Sequence, residues 1–440
     1  MQNNTTQVRP GIINRLLAFA GIPKPLLIGF IGFTIFMIGD GIELGFLATY
    51  LNEKGITSDK VALLFTLYGL TGSVSAWLSG ALSDGFSPYR VMWFGFIIWI
   101  VLDVAFLAFG VSQGNYELML LFYTLRGFGY PLFAYGFLCW IAAASPAKMM
   151  GSAMGWFWFF STLGLMTLAP LMASFSIPRI GEMNTFWLSI VMVIFGGLLS
   201  LLGLKEPTGK QPLSNKKTGT VKLLFKSISI LWREPKAAMG AVTRMINTAS
   251  FYGFMPVMPF FYTHQGGFSL PEWLQLLSLI FFSNIIGNLA AGILGDKIGH
   301  RTTIIVMGGL VCAVTTPLFY YLPLWFPGNG TFVSINGILW GIGLAGFVPL
   351  SALMPLISPA NKGAMIASLS LGAGMSMWFG PLLFTLFQSH IGIEGVCLVF
   401  TALYIISMGL TALLKPNAGE SSKELAASVL SDPVHEQSLN

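Results

Sequence analysis

Gly80-Ala-Leu-Ser-Asp84-Gly-Phe-Ser-Pro-Tyr-Arg90 occurs a second time, in the other half of the chain, as Gly292-Ile-Leu-Gly-Asp296-Lys-Ile-Gly-His-Arg301. In both copies a glycine, a leucine, an acid and a base follow one another at nearly the same spacing, in a short link between two long apolar segments. Ser145-Pro-Ala-Lys and Ser358-Pro-Ala-Asn form a second matching pair. The separation from Ser145 to Ser358 nearly equals that from Gly80 to Gly292. Two independent offsets of nearly equal size indicate that one membrane unit occurs twice in the chain.

The composition excludes a water-soluble protein. Hydrophobic residues make up 55% of the 440 residues and charged residues only 9%, whereas soluble domains carry about 25% charged residues. Runs of about 20 apolar residues are long enough to cross a bilayer as helices, and they do not alternate with the period of two that membrane strands require. The sequence therefore predicts an all-α membrane protein with twelve spans near 26–50, 59–83, 91–111, 117–143, 150–172, 185–204, 237–262, 271–295, 302–322, 331–357, 363–388 and 392–414.

The distribution of lysine and arginine predicts the orientation. Of the 23 basic residues, 18 lie in the two termini and in the links that follow even-numbered spans, and basic links stay in the cytoplasm. Both termini are thus expected in the cytoplasm, with the chain in a bacterial inner membrane. The expected domains are a cytoplasmic segment 1–25, a six-helix half 26–204, a basic linker 205–236 with an amphipathic helix at 221–232, a second half 237–414 and a cytoplasmic tail 415–440.

Several chemistries find no support in the sequence. It contains no phosphate-cradling Gly-x-x-x-x-Gly-Lys-Ser motif, no metal-ligand spacing among its histidines and cysteines, and no basic surface with interleaved aromatic residues. We therefore expect no enzyme activity, no cofactor, no metal and no nucleic-acid partner.

The paired Gly-x-Leu-x-Asp…Arg links and the twelve spans resemble the major facilitator superfamily. Finer features resemble the bacterial polyol permeases, the ribitol and D-arabinitol transporters: Gly21-Ile-Pro-Lys-Pro, Phe36-Met-Ile-Gly-Asp40-Gly-Ile-Glu43, and Arg126-Gly-Phe-Gly-Tyr-Pro-Leu-Phe-Ala-Tyr135. The resemblance implies a monomeric secondary transporter with two pseudo-symmetric halves, whose substrate site lies between repeats. Its partners would be a small-molecule substrate, a proton gradient and the lipid bilayer.

Ionisable residues inside the spans are the candidates for ion coupling, because such residues are costly in a membrane and are usually functional. Counting about 1.5 Å per residue places Asp40, Glu43, Asp103 and Arg126 near the same depth in the first half. A carboxylate between a dry environment and an arginine can bind and release a proton. We predict Asp40 or Glu43 as the proton site, with Arg126 as its partner; a static salt bridge that locks the spans is the alternative.

Polar and aromatic side chains in the spans are the candidates for substrate binding, because hydroxyl groups need amide or carboxylate partners and aromatic rings stack on the C–H faces of sugar alcohols. The predicted substrate residues are Tyr130, Trp156, Arg244, Asn247, Asn284, Asn288, Asn336, Trp378 and Gln388. Interhelical hydrogen bonding is the alternative for the asparagines. For Arg244 the alternative is a side chain that extends to the cytoplasmic interface.

The duplicated links supply a candidate gating motif, composed of Gly80, Asp84, Arg90, Gly292, Asp296 and Arg301. We expect Asp84 and Asp296 to accept hydrogen bonds from arginines or from helix N-termini and so to hold the inward-closed state.

The function predicted from these features is a proton-coupled symporter that imports a polyol or small sugar-like solute. Uptake or efflux of an organic anion or siderophore-like metabolite on the same fold is the alternative, with Arg126 and Arg244 facing the carboxylates. A non-transporting membrane receptor is a third interpretation, which the shortness of the polar segments disfavours.

Overall fold

The computed structural model describes residues 24–145, 150–213, 231–358 and 362–415, and every regular element within these ranges is a helix. A helix satisfies its own backbone hydrogen bonds, which lipid cannot do. Residues 221–230 of the predicted amphipathic helix and most of the two termini lie outside the described residues.

The first six spans agree closely with the ranges predicted from hydropathy. Their helices are Leu27–Ile42 with Leu47–Glu53, Ser58–Phe86, Pro88–Ala105 with the π-helix Phe106–Val111, Tyr116–Arg126 with Gly129–Ala144, Met150–Thr162 with the π-helix Leu163–Leu168 and Ala169–Ile180, and Glu182–Gly203.

The last six spans complete the predicted twelve. Their helices are Pro235–Phe254 with Met258–His264, Leu270–Ile298, His300–Thr303 with the π-helix Ile304–Val311 and Cys312–Trp325, Gly330–Leu344 with the 3-10 turn Ala345–Phe347 and Val348–Ile357, and Lys362–Leu413, which holds spans 11 and 12 on either side of Gly392. By length and hydropathy alone, 10 helices of the described chain qualify as spans. One of these 10 contains both spans 11 and 12, and span 7 does not qualify because polar residues such as Arg244 and Asn247 lower its mean hydropathy.

Left-handed backbone turns recur at nearly the offset of the sequence repeat. The described residues with φ between +66° and +103° form four pairs with almost the same separation along the chain: Gly55 and Gly267, Ser87 and Gly299, Gly114 and Gly328, Gly181 and Gly392. The two residues of each pair lie in corresponding links, one in each half of the chain. Residues with a Cβ atom avoid this conformation, and Ser87 is the one non-glycine among the eight. The duplication predicted from the motif is thus confirmed in the turns as well.

The chain divides into two compact units, which we call unit 1 and unit 2. Unit 1 comprises the chain up to Thr220 together with Phe268–Phe281, and unit 2 comprises the remainder. The inclusion of Phe268–Phe281 departs from the predicted half boundaries. Within unit 1, Trp273 Nε1 donates to the Gly45 carbonyl at 3.0 Å and Ser278 Oγ donates to the Thr167 carbonyl at 2.7 Å.

Small residues bring the helices of unit 1 close together. A Cβ atom on Gly32 would lie 2.7 Å from the Gly196 carbonyl oxygen, and one on Gly196 would lie 2.3 Å from the Phe36 backbone nitrogen. Spans 1 and 6 therefore touch through their backbones, which is the usual way for membrane helices to gain packing contacts.

Aromatic rings fill the space between spans 1, 4 and 5. Phe36 and Phe133 stack with ring centroids 3.9 Å apart, and Phe33 and Phe157 stack at 5.0 Å. This core fixes the first helix of span 1, Leu27–Ile42, which contains Asp40.

Candidate functional site

Span 4 is broken directly after Arg126. Two hydroxyl groups of span 2 satisfy backbone carbonyls at the break: Thr71 Oγ1 donates to the Thr124 carbonyl at 2.6 Å, and Ser75 Oγ donates to the Phe128 carbonyl at 2.8 Å. A break in a membrane helix is tolerated where side chains satisfy the freed backbone groups. The arginine is thereby held at the end of a half-helix.

Span 1 is broken at the corresponding depth. Its first helix ends at Ile42, so that Asp40 lies in its last turn and Glu43 is its C-cap residue. A Cβ atom on Gly41 would lie 2.2 Å from the Leu165 carbonyl oxygen of span 5. The glycine allows this close approach, which places both acids in the interior of unit 1.

The structure brings together all four ionisable residues predicted for the first half. Arg126 forms ion pairs with Glu43 through Nη2 and with Asp103 through Nη1. Asp40 instead accepts a hydrogen bond from Trp99 Nε1 at 2.5 Å. We call Asp40, Glu43, Asp103 and Arg126 the carboxylate–arginine cluster; each of the four is at most 5% exposed. Of the two residues predicted as the proton site, Glu43 is therefore paired with Arg126 and Asp40 is bonded to Trp99.

Three aromatic rings surround the guanidinium of Arg126. Its Cζ atom lies 4.6 Å from the ring centroid of Tyr123, 5.0 Å from that of Trp99 and 5.4 Å from that of Tyr68. A cation near an aromatic face is stabilised by the ring quadrupole, and more so without water. Trp99 therefore has two roles, because it contacts the guanidinium and also donates to Asp40.

The charges of the cluster do not balance when every group is ionised. Three carboxylates and one guanidinium give a formal charge of −2 at a depth where the side chains are almost fully buried. Burying uncompensated charge costs several kcal/mol per ion. Glu43 Oε2, Asp103 Oδ2 and Arg126 Nε also have no hydrogen-bond partner among the described residues. The cluster thus holds more negative charge than Arg126 alone balances.

Sequence reasoning missed the ring residues of this site, although helical spacing indicates two of them. Trp99 lies four residues before Asp103, and Tyr123 lies three residues before Arg126, so each shares a helix face with a charged residue. An aromatic residue one turn from an intramembrane charge was the available signal.

The structure places Arg244 of unit 2 in a defined pose. Its Cζ atom lies 3.7 Å from the ring centroid of Phe347, and Nη1 donates to Thr248 Oγ1 at 3.2 Å. Thr248 lies one helical turn farther from the start of span 7, so the guanidinium points into the span. This pose favours the interpretation in which Arg244 points into the cavity, and its role in substrate binding stays a prediction.

The predicted asparagines mainly connect helices. Asn284 Nδ2 donates to the Gly341 carbonyl at 2.9 Å and Asn336 Nδ2 donates to the Thr315 carbonyl at 3.1 Å. Asn288 Nδ2 reaches Asn284 Oδ1 at 3.5 Å. The first two bonds match the alternative of interhelical hydrogen bonding, whereas the third lies within the helix of span 8. Substrate contacts of these residues stay a prediction.

Asn247 is buried beside the close contact of spans 9 and 10. Its Nδ2 atom lies 3.2 Å from the position of a Cβ atom on Gly308, and its Oδ1 atom has no hydrogen-bond partner within the described ranges. The backbone carbonyl of Asn247 accepts from the Tyr404 hydroxyl at 3.1 Å.

The remaining predicted substrate residues are Tyr130, Trp156, Trp378 and Gln388. Trp156 packs against Phe160 with centroids 5.6 Å apart, and Tyr130 and Trp378 are half-buried. Gln388 lies four residues before the Gly392 turn, at the end of span 11. A role for these four residues in substrate binding stays a prediction.

The first copy of the gating motif lies at the end of span 2 and the start of span 3. Within the described residues, Asp84 and Arg90 form no ion pair. Gly80 and Asp84 belong to the helix of span 2, and Arg90 is exposed at the start of span 3. Burial raises the pKa of the Asp84 carboxyl. The expected hydrogen bond from an arginine to Asp84 is absent from the described part of the chain.

The second copy uses its arginine differently from the prediction. Arg301 donates from Nε to the Thr411 carbonyl at 3.4 Å and from Nη2 to the Ala412 carbonyl. Asp296, four residues after Gly292, is exposed and has no ion pair in the described ranges. Arg301 therefore satisfies the carbonyl end of span 12, where a cation also suits the helix dipole.

A connector anchor that the sequence did not predict follows span 6. Glu206 Oε2 accepts hydrogen bonds from Trp140 Nε1 at 2.6 Å and from Thr208 Oγ1 at 2.6 Å. A Cβ atom on Gly209 would lie 2.1 Å from the Trp140 ring, and Lys210 Nζ lies 5.7 Å from the Tyr89 centroid. The first residues of the predicted linker are thus bound to spans 3 and 4.

Within the described ranges, no three His, Cys, Asp or Glu side chains are placed to hold a metal ion. Glu43 and Asp103 instead form ion pairs with the guanidinium of Arg126.

Comparison of the sequence and the fold with known proteins identifies the family of the chain. The model of the Major Facilitator Superfamily matches residues 29–326 and 240–435. The chain is 38% identical to the alpha-ketoglutarate permease of Bacillus subtilis (93% of each chain covered) and 37% identical to the D-arabinitol transporter of Klebsiella pneumoniae (92% of this chain, 96% of the relative). The ribitol transporter of Klebsiella pneumoniae is 35% identical over 90% of this chain and 93% of its own. The solved nucleoside transporter NupG, at 14% identity, has the same fold with a TM-score of 0.69 over 89% of this chain and 99% of NupG.

Proposed function

Because the chain belongs to the Major Facilitator Superfamily, and its relatives are named as transporters and permeases, we propose that it imports a small polar solute together with protons by alternating access. The observation that carries the proton coupling is the buried carboxylate–arginine cluster, whose three acids face one base.

The charge of the cluster is the physical reason for proton binding. Full ionisation leaves two uncompensated negative charges at the depth of the cluster, and protonation of one carboxyl reduces the charge to −1. Changing the protonation state is the ordinary way in which proteins avoid a buried unpaired charge. A cluster whose exposure to the two aqueous sides alternates would therefore bind a proton on one side and release it on the other.

Asp40 is the member of the cluster that we assign as proton carrier. Glu43 and Asp103 each form an ion pair with Arg126, which favours their charged forms. Within the described residues, Asp40 accepts a hydrogen bond from one neutral donor, Trp99, and has no ion pair. Protonation of Asp40 breaks no ion pair, so it is the least costly way to change the charge of the cluster. Asp103 and Glu43 then serve to hold Arg126 in place.

The proton gradient would supply the driving force. One elementary charge that crosses the bilayer gains about 2.3 kcal/mol per 100 mV of membrane potential. The proposal includes a bacterial inner membrane with both termini in the cytoplasm, as the lysine and arginine distribution favours, and a monomer as the working unit.

A polyol or small sugar-like solute is the first candidate substrate. Two relatives over 90% or more of this chain are named for D-arabinitol and ribitol. The hydroxyl groups of a polyol need hydrogen-bonding partners in place of water, and the amide side chains predicted from the sequence supply them.

An organic anion is the second candidate, and one observation favours it. Arg244 places a guanidinium deep in span 7, and a relative at 38% identity is named as an alpha-ketoglutarate permease. Arg126, in contrast, is matched by two carboxylates of the protein and is a poor choice for contacting an anionic solute.

Proton movement in sealed vesicles tests the proposal. Purified protein is reconstituted with a pH-sensitive dye, and D-arabinitol, ribitol or alpha-ketoglutarate is added outside. We expect one of these solutes to accumulate in response to an imposed pH gradient and to alkalinise the medium as it enters. Accumulation that is unaffected by a proton ionophore would contradict proton coupling, and absence of uptake under every gradient would contradict transport itself.

A further inference from the structure

We infer that Trp99 of span 3 is the positioning residue of the proton site, and that its indole N–H sets the pH range in which proton coupling operates. The inference rests on the proposed proton-coupled transport and names the residue that tunes it. It is carried by the contacts of Trp99 with Asp40 and with both helices of the broken span 4.

The indole of Trp99 is held in place by spans 1 and 4. Its side chain is fully buried, and its ring meets that of Phe36 at 61° with centroids 6.3 Å apart. Phe36 lies four residues before Asp40, so both side chains lie on one face of the first helix of span 1. A Cβ atom on Gly129 would lie 2.6 Å from the Trp99 Cβ atom and 2.8 Å from its Cα atom. This packing fixes the indole beside Asp40.

The hydrogen bond from Trp99 favours the charge on Asp40. An indole Nε1 atom can only donate, and it reaches Asp40 Oδ1 at 2.5 Å, where both side chains are at most 5% exposed. A bond of this kind is about twice as strong to an ionised carboxylate as to a neutral acceptor, and a donor to the charged form opposes protonation. Loss of the indole N–H should therefore extend proton-dependent transport to higher pH.

The ring of Trp99 also connects the proton site to the break in span 4. Its centroid lies 5.0 Å from the Cζ atom of Arg126, the last residue of the first helix of that span. Gly129, against which the backbone of Trp99 packs, begins the second helix. A change in the charge of Asp40 therefore alters a hydrogen bond of a side chain that lies across the break.

The other ionisable groups around Asp40, within the described residues, belong to its own span and to spans 2, 3 and 4. They are Glu43, Tyr68, Asp103, Tyr123 and Arg126. Spans 5 and 6 also pack closely on span 1, but they have no ionisable side chain between residues 150 and 178 or between 183 and 204. Trp99→Phe changes none of these groups, so a shift of the pH profile would come from the lost hydrogen bond.

Trp99→Phe tests the inference, because it removes the indole N–H and keeps an aromatic ring beside Arg126. Vesicles with equal pH on both sides exchange labelled for unlabelled D-arabinitol, ribitol or alpha-ketoglutarate, and the rate is measured from about pH 5.5 to about pH 9. Without a gradient, the pH acts only through proton binding. Trp340→Phe is the matched control: Trp340 is also buried, and its Nε1 atom donates to the neutral Thr316 hydroxyl of unit 2 at 3.2 Å.

We expect wild-type exchange to fall as the pH rises, with a midpoint that marks the loss of the proton. Trp99→Phe should raise this midpoint by about one pH unit, a tenfold gain in proton affinity, and Trp340→Phe should leave it in place. In Asp40→Asn the exchange should not depend on pH, and adding Trp99→Phe should shift nothing further. A merely structural role of Trp99 would lower the rate at every pH without moving the midpoint.

A measurement on the intact chain applies if Trp99→Phe does not fold. The chain has 12 tryptophans, and nitrogen-15 labelling of their indoles makes each N–H group visible by NMR. We expect one indole resonance to titrate in the same pH range in the wild type and to stay constant in Asp40→Asn. Trp140 also donates to a carboxylate, but hydrogen bonds lower the pKa of its partner Glu206, which stays ionised above about pH 5.

Two results would overturn the role of Trp99: a midpoint that is the same in Trp99→Phe as in Trp340→Phe, or the absence of any indole resonance that titrates with Asp40. Failure of the underlying function looks different. If the wild type exchanges solute equally at every pH and moves no protons, then proton coupling itself fails and the inference falls with it.

Discussion

The buried charge of Arg126 is stabilised by several contacts with neighbouring side chains. The guanidinium is held by Glu43 and Asp103 and is surrounded by three aromatic rings, so its charge is met by ion pairs and by cation–π contacts. The charged partners come from spans 1 and 3, which places the residue at the centre of the packing of unit 1. Its removal should therefore affect stability before it affects transport.

Arg126→Gln should destabilise the protein by about 3–5 kcal/mol, because it leaves two buried carboxylates without a cation. Adding Glu43→Gln removes one of those charges and should restore part of the loss. The apparent melting temperature in detergent measures both effects, with Arg179→Gln as the exposed control. Equal melting temperatures for the wild type and Arg126→Gln would contradict a stabilising role of the ion pairs.

At this scale, the sequence predicts which charged residues meet but not how they bond. Counting residues from the ends of the spans placed Asp40, Glu43, Asp103 and Arg126 at one depth, and the structure brings them together. The choice of Trp99 as the partner of Asp40 depends on how spans 1 and 3 rotate about their axes, which hydropathy does not specify. The pose of Arg244 likewise depends on Phe347, which lies three spans farther along the chain.

Among the secondary-structure elements, the turns between spans have the strictest requirement on backbone conformation, because several of them need a positive φ. Gly181 joins spans 5 and 6 with φ = +80°, and a Cβ atom there would meet no atom within 4 Å. The cost of a side chain at this position is therefore conformational and not steric.

Gly181→Ala should destabilise the protein by about 1–2 kcal/mol, because an L-residue with a Cβ atom is strained in the left-handed region. Gly409→Ala is the matched control: Gly409 also has open space around it but is helical, so alanine should be neutral or stabilise by up to about 1 kcal/mol. The difference between the two apparent melting temperatures is the measurement. A Gly181→Ala variant as stable as Gly409→Ala would show that the turn relaxes freely.

The connector anchor after span 6 should respond to acid. Although burial acts to raise it, the hydrogen bonds from Thr208 and Trp140 lower the pKa of Glu206 below its ordinary value. A carboxyl whose pKa is lower in the folded state stabilises that state above the unfolded pKa of about 4.3, and the contribution is lost as the pH falls through the folded value.

The difference in melting temperature between the wild type and Glu206→Gln should therefore be constant from pH 7 to about pH 5 and shrink toward zero below about pH 4. Trypsin should also cleave after Lys205 and Lys210 faster in Glu206→Gln at neutral pH, since the segment is held less firmly. A stability difference that grows as the pH falls would contradict the assignment of Glu206 as an ionised acceptor.

Among the elements, hydropathy predicted the number and approximate bounds of the spans, because each one must bury its backbone in lipid. It did not predict the breaks at Ile42 and Arg126 or the anchor at Glu206. The break after Arg126 depends on hydroxyl groups of span 2, and the break at Ile42 lies beside the close contact of Gly41 with span 5. The anchor depends on Trp140, which belongs to a span much earlier in the chain. Such features arise from contacts between elements and leave no periodic pattern.

In the molecule as a whole, the two repeats share the positions of their turns but differ in the ionisable residues of their spans. The left-handed turns recur at nearly equal offsets, yet the offset from Gly80 to Gly292 carries Asp40, Glu43 and Asp103 onto Tyr252, Met255 and Thr315. The acidic cluster thus belongs to the first repeat, and Arg244 has Gly32 as its counterpart. The proton binding proposed above would therefore be a property of the first repeat.

Proton uptake by Asp40→Asn, in vesicles that contain a pH-sensitive dye, tests the proposed coupling most directly. Asp59→Asn, the same change at an exposed residue in the first turn of span 2, is the control. We predict that solute entry acidifies the vesicle interior with the wild type and with Asp59→Asn, whereas Asp40→Asn reduces proton movement to the level of empty vesicles and still exchanges labelled for unlabelled solute. Wild-type proton uptake by Asp40→Asn would contradict the assignment of Asp40 as the proton carrier.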